Sequence, residues 1–340
     1  MLGLEPDGIL QQNCRRYVDE KVNAPPMHWK VKARLQNAVA MLPAKLGNSV
    51  YFFGQRLLGG LREVDSSRRL QAGLEIVSRL ESLGRSIHGK SVLEIGTGHQ
   101  INVPIALWLC GAASIVTVDL NRYLREDLVR LDLAYLAGHT DEIQRLFGGR
   151  GRSAEFQQRL ERLVANRDSR IDRVLETIGA TYLAPCDARK LPLADDSIDY
   201  HVSFTVLEHI PPDVLSQILR EGNRVLRRDG LFIHCVDFSD HFSHSDSSVS
   251  SVNFLQFNEQ EWSRLSGNRF MYHNRLRVDE CESLFVANVD VQAVDRVIDL
   301  RAHEILQRNG LPLDRRFREK SAETNATKHA WIIAGVRSSS

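Results

Sequence analysis

The run Val92-Leu93-Glu94-Ile95-Gly96-Thr97-Gly98 constrains this chain more than any other segment. It reads as a buried apolar strand that breaks into a glycine turn and then into a helix. Gly96 and Gly98 let the backbone bend tightly and let a ligand approach without a Cβ in the way. Further short apolar strands are expected at 91–95 (SVLEI), 115–118 (IVTV), 181–184 (TYLA), 198–204 (IDYHVSF) and 231–236 (LFIHCV). Helical segments such as 213–226 lie between them, which is the βαβ alternation of a mostly parallel α/β sheet. Two later segments, 286–297 and 329–336, read as final strands joined by a helical connection.

At about 150 residues per domain, 340 residues suggest two domains. The texture instead divides the chain into one α/β domain with additions. Residues 1–88 read as a helical extension or lid, broken at Pro25-Pro26 and Gly59-Gly60, ahead of a domain over 89–340. Within that domain, residues 121–179 carry apolar positions at helical spacing, interrupted by Gly148-Gly149-Arg150-Gly151, and form an insertion of at least two helices. The 44 basic residues nearly balance the 43 acidic ones, which disfavours nucleic acid as a partner. Five scattered cysteines without a CxxC pair suit a reducing compartment, and no signal pattern or long apolar run is visible. A cytoplasmic protein without a membrane span is the expectation.

The glycine turn serves two kinds of ligand. Asn102 is placed to cap the helix that follows, with Pro104 in its first turn. Asp119, at the end of the second strand, is placed to accept hydrogen bonds from a ribose diol. A dinucleotide fingerprint wants a third glycine where the helix meets the pyrophosphate, and that position is Ile101. A nucleoside without pyrophosphate fits better; a nicotinamide-dependent oxidoreductase or epimerase is the disfavoured alternative.

The decisive pieces come later in the chain. Cys186-Asp187-Ala188-Arg189 follows the third strand, and the fourth ends in Thr205-Val206-Leu207-Glu208-His209-Ile210-Pro211-Pro212. A helix then leads to Arg227-Arg228-Asp229-Gly230-Leu231 and the fifth strand. In order and spacing, residues 91–119 and 181–237 resemble the class I S-adenosylmethionine-dependent methyltransferases of the type 11 group. The resemblance implies a Rossmann-like, seven-stranded, mostly parallel sheet with helices on both faces, and S-adenosylmethionine as cofactor. It implies that Glu94, Gly96, Thr97 and Gly98 cradle the methionine end, and that Asp119 and Leu120 hold the ribose. Asp187 and Ala188 would read the adenine, and Thr205 would touch the cofactor from the fourth strand. His99 and Gln100 depart from the family pattern and are expected to put side chains near the methionine tail.

A sulfonium methyl is already activated, so the protein chiefly has to align an acceptor with it. A hydroxyl acceptor benefits from a base near neutral pH, which favours histidine. His209 is the first candidate. His241 is the second, with Asp237 or Asp240 fixing its tautomer, whereas His234 inside the fifth strand reads as a packed residue. Asp237, Asp240, His241, His244 and Asp246 are ligand types, but their spacing matches no closed metal motif and no metal is assigned. Trp262, Tyr272 and His273 lie where the family builds its acceptor pocket. The basic amphipathic stretch 28–46 is expected to dock on the core or close over the cofactor rather than bind a membrane surface.

The expected activity is methyl transfer to a small-molecule acceptor, at oxygen, in a biosynthetic pathway. The insertion over 121–179 is expected to cover the acceptor site, with a homodimer contact as its alternative use. A catalytically inactive cofactor-binding interaction protein is the alternative of a different class.

Overall fold

The computed structural model describes residues 27–58, 61 and 66–337. Cys14, Pro25-Pro26, Gly59-Gly60 and the terminal serines of the expected breaks and ends lie outside the described residues. Helices α1 (Trp29–Ala40), α2 (Ala44–Leu58) and α3 (Ser66–Ser82) precede the first strand. The seven strands are β1 (Ser91–Ile95), β2 (Ser114–Val118), β3 (Ala180–Leu183), β4 (Ile198–Phe204), β5 (Leu226–Asp237), β6 (Asp290–Ile298) and β7 (Thr327–Gly335). They form one sheet in the order β3-β2-β1-β4-β5-β7-β6. β7 is antiparallel to both its neighbours, and the pairs from β3 to β5 are parallel.

Each expected strand is present. The expected segment 286–297 begins too early, because Val286 to Asn288 complete a helix (Val278–Asn288) before β6 starts. The sheet order reverses direction between β1 and β4, and ligands of such sheets gather at the carboxyl ends of the strands beside that point.

Helix α4 (Asn102–Leu109) follows β1 and is buried nearly all round, as its apolar run after Asn102 requires. The insertion holds four helices: α5 (Glu126–Gly138), α6 (Thr140–Leu146), α7 (Ala154–Ala165) and α8 (Ile171–Thr177). The glycine cluster expected to break it forms a single 3-10 turn, Arg150–Arg152, between α6 and α7. Leu133, Leu136, Ile143, Phe147, Phe156, Leu160 and Leu163 join the core on the α3–α4 face of the sheet. The insertion is therefore part of the main core. On the other face, α9 (Pro212–Val225) starts on a proline at its first position and buries Leu215, Ile218, Leu219 and Val225. Each such side chain contributes roughly 1.5–3 kcal/mol of burial.

A third core joins α1 to the segments after β5. Trp29 packs on Phe242 and Phe257, and Trp262 packs on Phe242, Phe254 and Phe257. The first backbone N–H of α1 donates to Asp246 at 2.9 Å, placing a carboxylate at the positive end of that helix. The amphipathic stretch thus docks on the protein's own core, as expected.

Candidate active site

Two clusters meet at the carboxyl end of β1, β4 and β5. The first is a cleft of about 300 Å³ lined by Arg69, Ala72, Glu94, Gly96, Thr97, His99, Gln100, Asn102, Val103, Phe204 and Thr205. Its floor is the glycine turn. Gly96 has φ +86, and a Cβ there would lie 2.6 Å from the Val206 side chain, so both conformation and space demand glycine. Gly98, at φ +71, donates its N–H to Asp119 at 3.1 Å.

Around the turn, polar groups are tied in a chain. Thr97 bonds to Thr117, which donates to Glu94 at 2.5 Å. Burial pushes the Glu94 carboxyl up to about 8, against the pull of that hydroxyl. Burial likewise pushes Asp119 up to about 7, although Tyr182 donates to it at 3.1 Å. Asp119, Leu120, Asp187, Ala188 and Gly98 lie outside the lining of the cleft, whereas Glu94, Gly96, Thr97 and Thr205 are in it. The Asp187 carboxylate is exposed and engaged by Arg189 at 2.7 and 3.0 Å. Of the ribose and adenine candidates, Asp119 is buried beside the glycine turn and Asp187 is open to solvent.

Asn102 does not cap α4. It is the first residue of the helix, and Ile101 occupies the cap position without a side-chain bond. Ile101 is fully buried, so hydrophobic packing fills the place of a third glycine. Asn102 instead donates to Asp132 of α5 at 3.0 Å, Gln100 donates to the same oxygen at 2.7 Å, and Ser66 donates to the other at 2.6 Å. Because Asp132 only accepts, both amide NH2 groups point to it and both amide oxygens point away. Those two oxygens are buried without a hydrogen-bond partner among the described residues. No local motif marks Asp132, which lies 30 residues downstream of Asn102 on the insertion.

The N-terminal helices close one side. Phe52 of α2 packs on His99 at 5.7 Å between rings, and the Arg125 guanidinium stacks on Phe52 at 3.7 Å. His99 bonds to the Tyr123 carbonyl at 2.8 Å. Tyr51 stacks on Phe270 at 4.2 Å, so the same helix touches the segment after β5.

The second cluster begins three residues past Thr205, whose φ of +52 turns the chain sharply off β4. Glu208 and His209 lie in a 3-10 turn, and His241 and His244 in another after β5. His209 Nδ1 donates to the Tyr272 carbonyl at 2.8 Å, which leaves Nε2 with its lone pair. Nε2 lies 4.0 Å from Glu208 Oε1, an oxygen buried without a hydrogen-bond partner among the described residues. The His209 and His241 rings are 4.9 Å apart, as are those of His241 and His273.

Asp237 is the carboxylate beside His241, 3.5 Å from its Nε2, and it also lies 3.7 Å from His244. Burial alone would lower the His241 pKa, but Asp237, with Glu208 and Asp240, raises it. Burial, then the His241 imidazole, lowers that of His209. Burial and the neighbouring Asp237 push Glu208 up to about 8.

Other expected members have different places. Asp240 accepts from the Phe242 N–H and from Asn253, and Asp246 holds Trp29 and Ser248, so both are structural. His234 is fully buried between Ser203 and His201, as its strand position implied. Tyr272 contributes its carbonyl to His209, and Trp262 packs among aromatics. His273 joins the cluster with Nδ1 accepting from the Arg275 N–H, so its Nε2 carries the proton. Sequence reasoning did not foresee how this segment is held. Arg275 donates to the Phe254 and Phe257 carbonyls, and Arg277 to those of Phe238, Asn325 and Thr327.

The sheet order with a reversed seventh strand, and a glycine-turn cleft at the β1–β4 switch point, define the class I S-adenosylmethionine-dependent methyltransferase fold. The methyltransferase domain family matches residues 156–234, from α7 into β5. The chain thus has the class I methyltransferase fold, and its residues 156–234 are similar to the methyltransferase domain family. No curated protein matches it. Among solved structures, a Pyrococcus horikoshii protein is 15% identical, with 83% of this chain and 98% of that one covered at a TM-score of 0.46. A geranyl diphosphate methyltransferase in complex with S-adenosylmethionine is 14% identical, covering 88% and 95% at 0.44. An S-adenosylmethionine-dependent methyltransferase from Mesorhizobium loti is 13% identical, covering 76% and 96% at 0.39.

No helix among the described residues is long and apolar enough to cross a membrane.

Proposed function

We propose that the protein transfers a methyl group to a hydroxyl of a small molecule. The observation that carries this reading is the junction at Thr205, where the cofactor cleft meets a cluster of histidines and carboxylates. S-adenosylmethionine, when bound, supplies a methyl carbon that any aligned oxygen can attack as its bond to the sulfonium breaks.

The cleft fits the methionine end of that group. Gln100 and Asn102 line the cleft, and their carbonyl oxygens are buried without partners among the described residues, acceptors that a ligand ammonium would satisfy on entering. The glycine turn offers backbone where the chain comes close. Asp119 is set to take ribose hydroxyls, and Asp187 with the Ala188 backbone to take the adenine edge.

At the acceptor side, the His209 Nε2 lone pair and the His241–Asp237 pair face the end of β4, the direction from which an acceptor would approach. A group there that withdraws a proton from a hydroxyl raises the nucleophile's electron density as the methyl moves. The near balance of charge supports a small acceptor over a nucleic acid. We read α1–α3 as the cover of the cofactor cleft.

Calorimetry with S-adenosylhomocysteine tests cofactor binding, and labelled S-adenosylmethionine with fractionated metabolites tests transfer. The expected result is saturable binding and a labelled product that releases its methyl on ether cleavage. Binding without transfer to any fraction would leave a cofactor-binding interaction protein as the correct reading.

A further inference from the structure

We infer that Glu208, His209 and His241 form a site for a divalent transition-metal ion at the acceptor side of the cleft. The inference deepens the proposed hydroxyl transfer and rests on it for the role of the ion, though not for its binding.

The geometry carries the argument. One ligand atom from each of the three side chains lies within 4.8 Å of the others. Glu208 Oε1 is buried without a hydrogen-bond partner among the described residues, a costly state for a carboxylate oxygen that a cation would relieve. His209 is oriented as metal-bound histidines are: Nδ1 donates to a backbone carbonyl and Nε2 is left to bind. His241 Nε2 is buried without a hydrogen-bond partner among the described residues, 3.5 Å from the Asp237 carboxylate. Two imidazoles and one carboxylate suit zinc, iron(II), cobalt(II) or manganese(II) better than calcium or magnesium. Three protein ligands leave a position open for a substrate oxygen, and the exposed side of His209 gives that position an entrance.

In the reaction, the acceptor oxygen would occupy the open position. Its O–H bond breaks with the proton leaving to bulk water, the oxygen forms the new bond to the methyl carbon, and the C–S electron pair returns to sulfur as a neutral thioether. The imidazoles then hold the ion, which takes over the task of acidifying the hydroxyl.

The test is direct. The full chain is stripped with a chelator and titrated with cobalt(II) chloride, read by visible absorption, and with zinc chloride, read by calorimetry. Wild type is expected to bind one ion with a visible cobalt band. Glu208→Gln, His209→Ala and His241→Ala should each weaken binding by more than about tenfold. His139→Ala, on the exposed end of α5, serves as the control and should bind as wild type does. Circular dichroism keeps folding separate, and His209→Ala is the variant safest for the fold because its ring is half-exposed. Absence of saturable binding in folded wild type overturns the site, as does equal affinity in wild type and folded His209→Ala. Because S-adenosylhomocysteine binding and methyl transfer are measured in parallel both with and without added metal, failure of the metal site and failure of the methyl-transfer reading are distinguishable.

Discussion

Gln100 donates its side-chain amide to Asp132 across 2.7 Å, and this bond leaves its carbonyl oxygen buried without a hydrogen-bond partner among the described residues. The family pattern puts glycine at that position. Here the insertion supplies a carboxylate that holds the longer side chain aside, and Asn102 is held by the same oxygen.

Asp132→Ala is expected to release Gln100, Asn102 and Ser66 together. Three buried donors would lose their acceptor, so urea unfolding should show a loss of at least about 2 kcal/mol. Affinity for S-adenosylhomocysteine should fall as well. Gln100→Ala should lose about tenfold in affinity with little change in stability, since one hydrogen bond to a charged ligand is worth about 1.5–3 kcal/mol. Unchanged affinity in Gln100→Ala would remove the assignment of the ammonium to these carbonyls.

Gly96→Ala should be among the most damaging single changes in the chain. Its φ of +86 strains any side chain, and Val206 occupies the space a Cβ needs. Adding Val206→Ala should recover part of the loss by opening the space, while the backbone strain of about 1–3 kcal/mol stays. Thermal unfolding of the single and double variants measures this; full recovery in the double variant would show that φ does not matter here.

His209→Ala and His241→Ala should each lower kcat by about 10²- to 10⁴-fold while S-adenosylhomocysteine affinity stays within error. The cluster lies outside the cleft lining, which is why binding and turnover should separate. Asp237→Asn should act through His241, lowering kcat less than His241→Ala does. Turnover unimpaired in both histidine variants would place acceptor activation elsewhere.

The ligand-free protein should lose stability as pH rises. Glu94 releases its proton near 4.5 in the unfolded chain but near 8 in the fold, because burial penalises its charge. Between these values the unfolded state binds fewer protons, so this contribution falls with rising pH and is fully lost above about 8. Asp119 acts in the same direction up to about 7. Thermal unfolding at pH 5.5 and pH 8 should therefore differ less in Glu94→Gln than in wild type. An unchanged difference would mean that Glu94 does not titrate in this window.

Phe52→Ala should speed cofactor release several-fold if α2 covers the cleft, because Phe52 joins that helix to His99 and Arg125. Stopped-flow displacement of a fluorescent cofactor analogue gives the rate. A release rate equal to wild type would leave α2 as packing alone.

What the sequence determined by itself was the set of local conformations. Apolar runs ending in glycine or a capping residue can hardly be anything but buried strands, and their order with the helices between them leaves few topologies. The glycine turn, Asp119 and the Glu208-His209 dipeptide were legible for the same reason, since each sits at a strand end that its own neighbours define. The tertiary structure decided where side chains point. Asp240 and Asp246 resemble His241 and Asp237 in the sequence, yet their oxygens are spent on Asn253 and on the first turn of α1. His273 reaches the cluster only because Arg275 and Arg277 bind carbonyls of distant segments. The Gln100 amide is held in place only because Asp132 arrives from a helix 32 residues away. Such choices depend on which buried donor finds which acceptor across the fold, and that pairing has no local period for a sequence to display.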